Sequence, residues 1–245
     1  MANIKLIKWG DLFSQSADSD KSVAVMSEGT PVAADTVEVR EALGLATTDT
    51  PVFAGMSLNG NFTLIDTVYD DMRITPSAFD FAGNSDPVNV ATTIGGRTYR
   101  LYEFATNDEC FITIQMPHGY KRGSVLRPHV HWTPGSRGNE EATKTVAWKA
   151  DISHAKVHAA FSTYATVDCT STLAADTVDG LHVIGPSADY VVPADFGESG
   201  MLLVRLYRDA GDTWAGTASG SLPLLLEFDI HYQLDKLGSD DEIPS

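Results

Sequence analysis

From about residue 66 onward, apolar and polar side chains alternate in short runs divided by clusters of Gly, Pro, Asn and Asp. Alternate residues of an extended chain point to opposite faces, so each run reads as a half-buried β-strand. The clearest runs are Thr98 to Ala105, Cys110 to Met116, Val125 to Trp132, Lys144 to Phe161 (long enough to bend), Leu181 to Ile184, Tyr190 to Val192, Met201 to Arg208 and Leu222 to Leu234. The spacing predicts seven to nine strands. Thr133-Pro-Gly-Ser-Arg-Gly138, Asp209-Ala-Gly-Asp212 and Thr217-Ala-Ser-Gly220 fall where loops belong. A helical period is not sustained over three turns in this region, which argues against βαβ units. Strands of unequal length with uneven connections favour a two-sheet jelly roll over an up-and-down barrel. The predicted fold is therefore all-β, an antiparallel jelly-roll sandwich over residues 66–238.

Residues 1–65 differ in kind, being rich in Ala, Thr, Ser and Asp and poor in aromatics. They read as an extended N-terminal arm containing one short helix. Asp35 as N-cap with Glu38 three residues on forms a capping box, Val39, Ala42 and Leu43 keep helical spacing, and Gly44 supplies the stop. In the following stretch Val52, Ala54, Met56, Leu58, Phe62 and Leu64 all fall on even positions, a strand period broken at Gly60. Neither element buries its apolar face alone, so the arm needs the main domain or copies of itself. Residues 239–245 form an acidic tail that reads as solvated.

Composition narrows the classes. The 245 residues carry 17 Lys and Arg against 33 Asp and Glu, a net charge of -16, with the basic residues scattered. Nucleic acid requires clustered cations to neutralise phosphates and is excluded as a partner. No run approaches the length of a membrane span or the apolar stretch of a secretory signal, so neither membrane insertion nor export is expected. The two cysteines, Cys110 and Cys169, suit a reduced place of synthesis, with Cys110 as a buried small hydrophobe.

One constellation carries candidate chemistry. In Val125-Leu-Arg-Pro-His-Val-His-Trp132, the histidines at 129 and 131 share one strand face. Two imidazoles on one strand are how a cupin-type jelly roll presents metal ligands, but a first-row ion needs a third donor and commonly a fourth. The first acids after Trp132 are Glu140 and Glu141, farther along than cupin spacing. Asp229 and His231 alternate onto one face of the last strand and could supply the missing donors if that strand lies beside the His129 strand. His129, His131 and His231 are thus the candidate metal ligands of a cupin-like metalloenzyme. The competing reading makes them hydrogen-bonded sheet residues.

The other polar groups read as structure. His154 and His158 are four apart in a strand-like segment, an unsuitable ligand spacing, while His118 and His182 read as loop or sheet residues and Asp70-Asp71 as a solvated pair. Gly95-Gly96 is a turn before a strand. Nucleophile elbows, phosphate loops and dinucleotide fingerprints do not occur, so no catalytic set and no cofactor are expected. Tyr99, Tyr102, Phe104, Trp132, Trp148, Tyr207, Trp214 and Tyr232 could line a carbohydrate-binding face, although most suit a sandwich core better.

The run Thr30-Pro-Val-Ala-Ala-Asp-Thr-Val-Glu-Val-Arg-Glu-Ala-Leu-Gly-Leu45, continued by Ala-Thr-Thr-Asp-Thr-Pro-Val-Phe-Ala-Gly-Met-Ser-Leu-Asn-Gly60, resembles a segment of tailed-bacteriophage fibre and appendage proteins. There, a short helix ending in Ala-Leu-Gly-Leu precedes a Pro-x-Phe-x-Gly strand. Arg127-Pro-His-Val-His-Trp-Thr-Pro134 and Asp229-Ile-His-Tyr-Gln-Leu-Asp-Lys-Leu-Gly238 are similar to phage-encoded β-sandwich virion proteins. The resemblance implies a non-enzymatic homotrimer on a virion, assembled in the host cytoplasm. Its arm would join the three chains and dock on capsid, neck or tail proteins, and its jelly roll would point outward toward a host-surface glycan. Tail fibre, head fibre and capsid decoration (cement) protein all remain open on this basis.

Overall fold

β-branched and aromatic residues in period-two runs dominate the part of the chain that pairs into sheets, and each run ends at a turn former. The computed structural model describes residues 23–27, 30–34, 67–134, 143–174, 180–214 and 222–238. The chain divides into two compact units, residues 1–59 and 60–245. Within the first, strands β1 (Val23–Ser27) and β2 (Thr30–Ala34) pair as an antiparallel hairpin, Val25 opposite Val32. The expected helix at 35–44, the strand-like stretch 52–64, the boundary near 65 and the tail 239–245 lie outside the described residues.

The second unit is an all-β antiparallel jelly-roll sandwich. Its strands are β3 (Val68–Ile74), β4 (Val88–Ile94), β5 (Arg97–Glu103), β6 (Glu109–Gln115), β7 (Arg127–Thr133), β8 (Lys144–Val146), β9 (Trp148–Ala155), β10 (Ala165–Asp168), β11 (Ser171–Leu173), β12 (Val183–Pro186), β13 (Met201–Arg208) and β14 (Leu224–Leu234). The smaller sheet has the order β10-β9-β13-β6, and the larger has β12-β7-β14-β5-β4. β8 and β11 form a separate pair. β14 is the hub of the larger sheet. One of its edges pairs with β7, while the other is shared between β5 at Leu224 and Leu225 and β3 from Phe228 to Leu234.

Side chains from the facing sheets interdigitate. Val130, Trp132, Phe228 and Ile230 from the larger sheet, and Ile112, Ile152, Leu202, Val204 and Leu206 from the smaller, are almost wholly buried. Trp132 lies 5.8 Å from Trp214 in an edge-on contact, and Phe104 lies 5.0 Å from Trp148 in another. Such pairs add to area burial because ring edges are positive and faces negative. Cys110 and Cys169 are buried free thiols, and burial pushes the Cys169 thiol up to about 12. One buried charge is fully engaged. Arg208 grips Asp212 through Nε at 2.5 Å and Nη2 at 3.2 Å, and donates to the Phe104 and Trp214 carbonyls at 2.9 and 3.3 Å.

Several elements differ from expectation. The long run 144–161 is not one strand: it breaks at Ala147 into β8 and β9, which belong to different sheets, and ends at Ala155 before a turn where His158 has φ 63°. Tyr190 to Val192 contributes a single bridge, Tyr190 to Leu126. β3, β4, β10 and β11 are additional, so the described residues of this unit hold more strands than the expected seven to nine. Gly95 and Gly96 both have positive φ, 59° and 78°, and close the β4–β5 hairpin as a two-residue turn of this kind requires.

Candidate functional site

The site lies on the outer face of the larger sheet and owes its composition to one inserted residue. Leu225 pairs with Trp132, but the next residue in register with β7 is Glu227, opposite His131, leaving Leu226 as a bulge. A bulge switches which side chains face outward beyond it. Phe228, Ile230 and Tyr232 therefore enter the core, and Glu227, Asp229 and His231 turn outward. On β7 Pro128, Val130 and Trp132 alternate into the core, with Thr133 buried at the strand end, so His129 and His131 turn outward too. The strand adjacency that the ligand set required is present: Asp229 is directly opposite His129.

Asp229 is the centre of the cluster. Its side chain is only 4% exposed despite facing outward, because imidazoles close over it. His131 Nε2 is 2.9 Å from Oδ2, His129 Nδ1 is 3.4 Å from Oδ1, and His231 Nε2 is 3.9 Å from Oδ2. The His129 and His231 rings stand nearly perpendicular with centroids 4.0 Å apart. A carboxylate only accepts, so His131 Nε2 donates to Asp229. Its Nδ1 shares a hydrogen bond with His182 Nε2, at 2.8 Å, in a stacked pair. Burial pushes the Asp229 carboxyl up, but the contact with His129 and the charges of His131, His129 and His231 outweigh it, so the group sits below the usual carboxylate range. Asp229 is thus a buried anion at neutral pH. Its Oδ1 accepts no hydrogen bond.

Two neighbours complete the face. Asp71 on β3 lies opposite His231 and places Oδ1 2.8 Å from its Nε2. Arg73, opposite Asp229, instead clamps Glu227 by donating from Nε at 2.5 Å and Nη2 at 2.8 Å, one edge of its guanidinium. Asp71, Arg73, His131, His182, Glu227 and Asp229 line an open cavity of about 480 Å³ beside the cluster.

The structure brings together all three sequence candidates, His129, His131 and His231, and Asp229 with them. The ligand atoms of His129, Asp229 and His231 all lie within 4.8 Å of one another, whereas His131 faces the same carboxylate from its other oxygen. Glu140 and Glu141, the weaker acidic candidates, lie outside the described residues. Sequence reasoning missed His182 and Asp71. His182 shares parity with Ile184 and Pro186, which oppose His131 and His129, but that signal is useful only once β12 is known to pair with β7. Asp71 was hidden because β3 was not predicted.

The aromatic residues separate clearly. Phe104, Trp132, Trp148, Trp214 and Tyr232 are buried in the core, Tyr102 and Tyr207 are half-buried, and Tyr99 is exposed. Most are therefore unavailable to a ligand. Among the described residues, no helix is long and apolar enough to cross a membrane.

No family model matches the chain, and no curated protein matches it. Solved structures with partial similarity include a CBM22-2 xylan-binding domain from Paenibacillus barcinonensis, at 15% identity and TM-score 0.31 over 67% of this chain and 93% of that one. A carbohydrate-binding module specific for non-crystalline cellulose, CBM28, aligns at 11% identity and TM-score 0.34 over 76% of this chain and 99% of that one. A cycloisomaltooligosaccharide glucanotransferase of Paenibacillus sp. aligns at 13% identity and TM-score 0.33 over 65% of this chain, which spans only 18% of that enzyme. Overlaps this partial say nothing about a ligand for this chain.

Proposed function

We propose that this chain is a non-enzymatic structural protein of a tailed-bacteriophage virion, a trimeric fibre or spike-like appendage of head or tail. Residues 1–65 attach and trimerise it, and the β-sandwich is the displayed head. The observation that carries this reading is the fibre-like segment Thr30 to Gly60, because the chain changes from one compact unit to another between Asn59 and Gly60. A module with its own compactness, bearing the sequence pattern of an attachment segment, is what an appendage protein needs at its fixed end.

Two further features support it. β4 has no buried residue, β3 has none, and Val88 and Tyr99 of the β4–β5 hairpin are 59% and 51% exposed. This side of the larger sheet offers apolar contact area suited to a symmetric neighbour. The net charge of -16 suits a surface displayed in many copies, where like charge resists aggregation. Three heads on one stem would gain avidity for a host-surface glycan or other receptor without strong single contacts.

The test compares particles assembled with the full chain and with a chain lacking residues 1–60. Immunodetection on purified particles should find the full chain and not the truncated one, while the truncated chain keeps the circular dichroism of a folded β domain. Equal incorporation of both would overturn the assignment of the arm. Incorporation together with a capsid that becomes fragile to heat when the chain is omitted would replace the appendage by a cement protein.

A further inference from the structure

The geometry points to a divalent transition-metal site on the outer face of the larger sheet, in which His129 of β7 and Asp229 and His231 of β14 bind one ion of the zinc class and fasten the two neighbouring strands together. This inference stands apart from the virion reading, because it concerns only the β domain.

Three observations carry it. First, the donors converge: ligand atoms of His129, Asp229 and His231 lie within 4.8 Å of one another. An ion held at about 2.1 Å by each donor spaces the donors about 3 to 4 Å apart, so side-chain rotations of under about 1 Å close the set. Second, one ligand oxygen is waiting. Asp229 Oδ1 is buried and meets His129 Nδ1 at 3.4 Å in an ion-pair contact without hydrogen-bond geometry, and a carboxylate oxygen so weakly engaged is costly to bury. His131 holds the other oxygen, Oδ2, at 2.9 Å and is itself fixed by His182 at 2.8 Å, so the carboxylate is already oriented with Oδ1 toward His129. Oriented ligands of this kind are typical of real metal centres, where a partner outside the coordination sphere fixes each donor.

Third, the donor chemistry selects the ion. Two imidazoles exclude calcium and magnesium, which take oxygen ligands, and favour zinc, cobalt, nickel or copper. The Asp229 carboxylate offsets part of the charge of a divalent cation. The consequence for the fold is specific. β7 and β14 pair across a register shift at Leu226, so an ion held by His129 on one strand and by Asp229 and His231 on the other would tie the two together just beyond the bulge.

The experiment uses the full chain, stripped with chelator and titrated with zinc chloride by calorimetry, with cobalt chloride as a visible-absorption probe. One zinc per chain is expected, together with cobalt d–d bands. Both should weaken at least tenfold in His231→Gln and in Asp229→Asn, and stay unchanged in His158→Ala, an exposed histidine on a turn. His231 is 35% exposed, so His231→Gln keeps the test valid if Asp229→Asn fails to fold. Less than half an equivalent of zinc on the wild-type chain would overturn the proposal, as would full binding by a folded His231→Gln variant.

Discussion

Replacing Arg208 by Met isolates the most deeply buried salt bridge among the described residues. The Arg208 and Asp212 side chains are 1% and 4% exposed, and the guanidinium makes two bonds to the carboxylate and two to main-chain carbonyls. Methionine fills similar volume but leaves Asp212 as an uncompensated buried anion. Breaking such a pair from one side costs about 3–5 kcal/mol. With a urea m-value of about 2 kcal/mol/M, the unfolding midpoint should fall by about 1.5–2.5 M. The double variant Arg208→Met, Asp212→Leu removes the stranded charge as well. It should recover most of the loss, leaving about 1–2 kcal/mol for the two carbonyls and the Trp214 N–H that Asp212 Oδ1 accepts at 3.3 Å. Urea unfolding followed by tryptophan fluorescence and by circular dichroism provides the assay, coincident curves confirming a two-state transition. A single variant within about 0.5 kcal/mol of wild type, or a double variant no more stable than the single, would refute the reasoning.

Two other outcomes follow from local geometry. A Cβ on Gly185 would meet the Cys169 carbonyl oxygen at 2.3 Å, so Gly185→Ala should push β12 off β7 at a cost of about 1–3 kcal/mol; an unchanged melting temperature would contradict this. Burial pushes the Glu198 carboxyl up, but Lys236 at 2.8 Å, its own main-chain N–H and Arg122 hold it below its ordinary value. A carboxyl depressed in the folded state adds stability that is present above its unfolded pKa of about 4.3 and is lost as pH falls through the folded value. The stability difference between wild type and Glu198→Gln should therefore be constant above about pH 5 and shrink below it. A difference that persists unchanged to strongly acid pH would show that Glu198 is not depressed.

Much of this architecture is legible in the chain, and the failures have physical causes. Strands with one face in the core, such as β6, β7, β13 and β14, display their alternation openly. β3, with Asp70 and Asp71 at its middle and only Met72 and Ile74 partly buried against the core, gives a weak apolar signal, and pairing to β14 supplies much of its hold. The break at Ala147 carries no Gly or Pro to announce it. Within the site, His129 with His131, and Asp229 with His231, are readable as same-face pairs from parity alone. Their meeting depends on the β7–β14 register and on the bulge at Leu226, hidden inside the uniform run Leu224-Leu-Leu226. His182 and Asp71 join only through neighbouring strands, information no local pattern holds.

Native mass spectrometry of the full chain reads the subunit number, and an appendage whose arm joins three copies must be trimeric in solution. A trimer at micromolar concentration is expected, collapsing to monomers when residues 1–60 are removed. A full-length chain that flies as a monomer would contradict it.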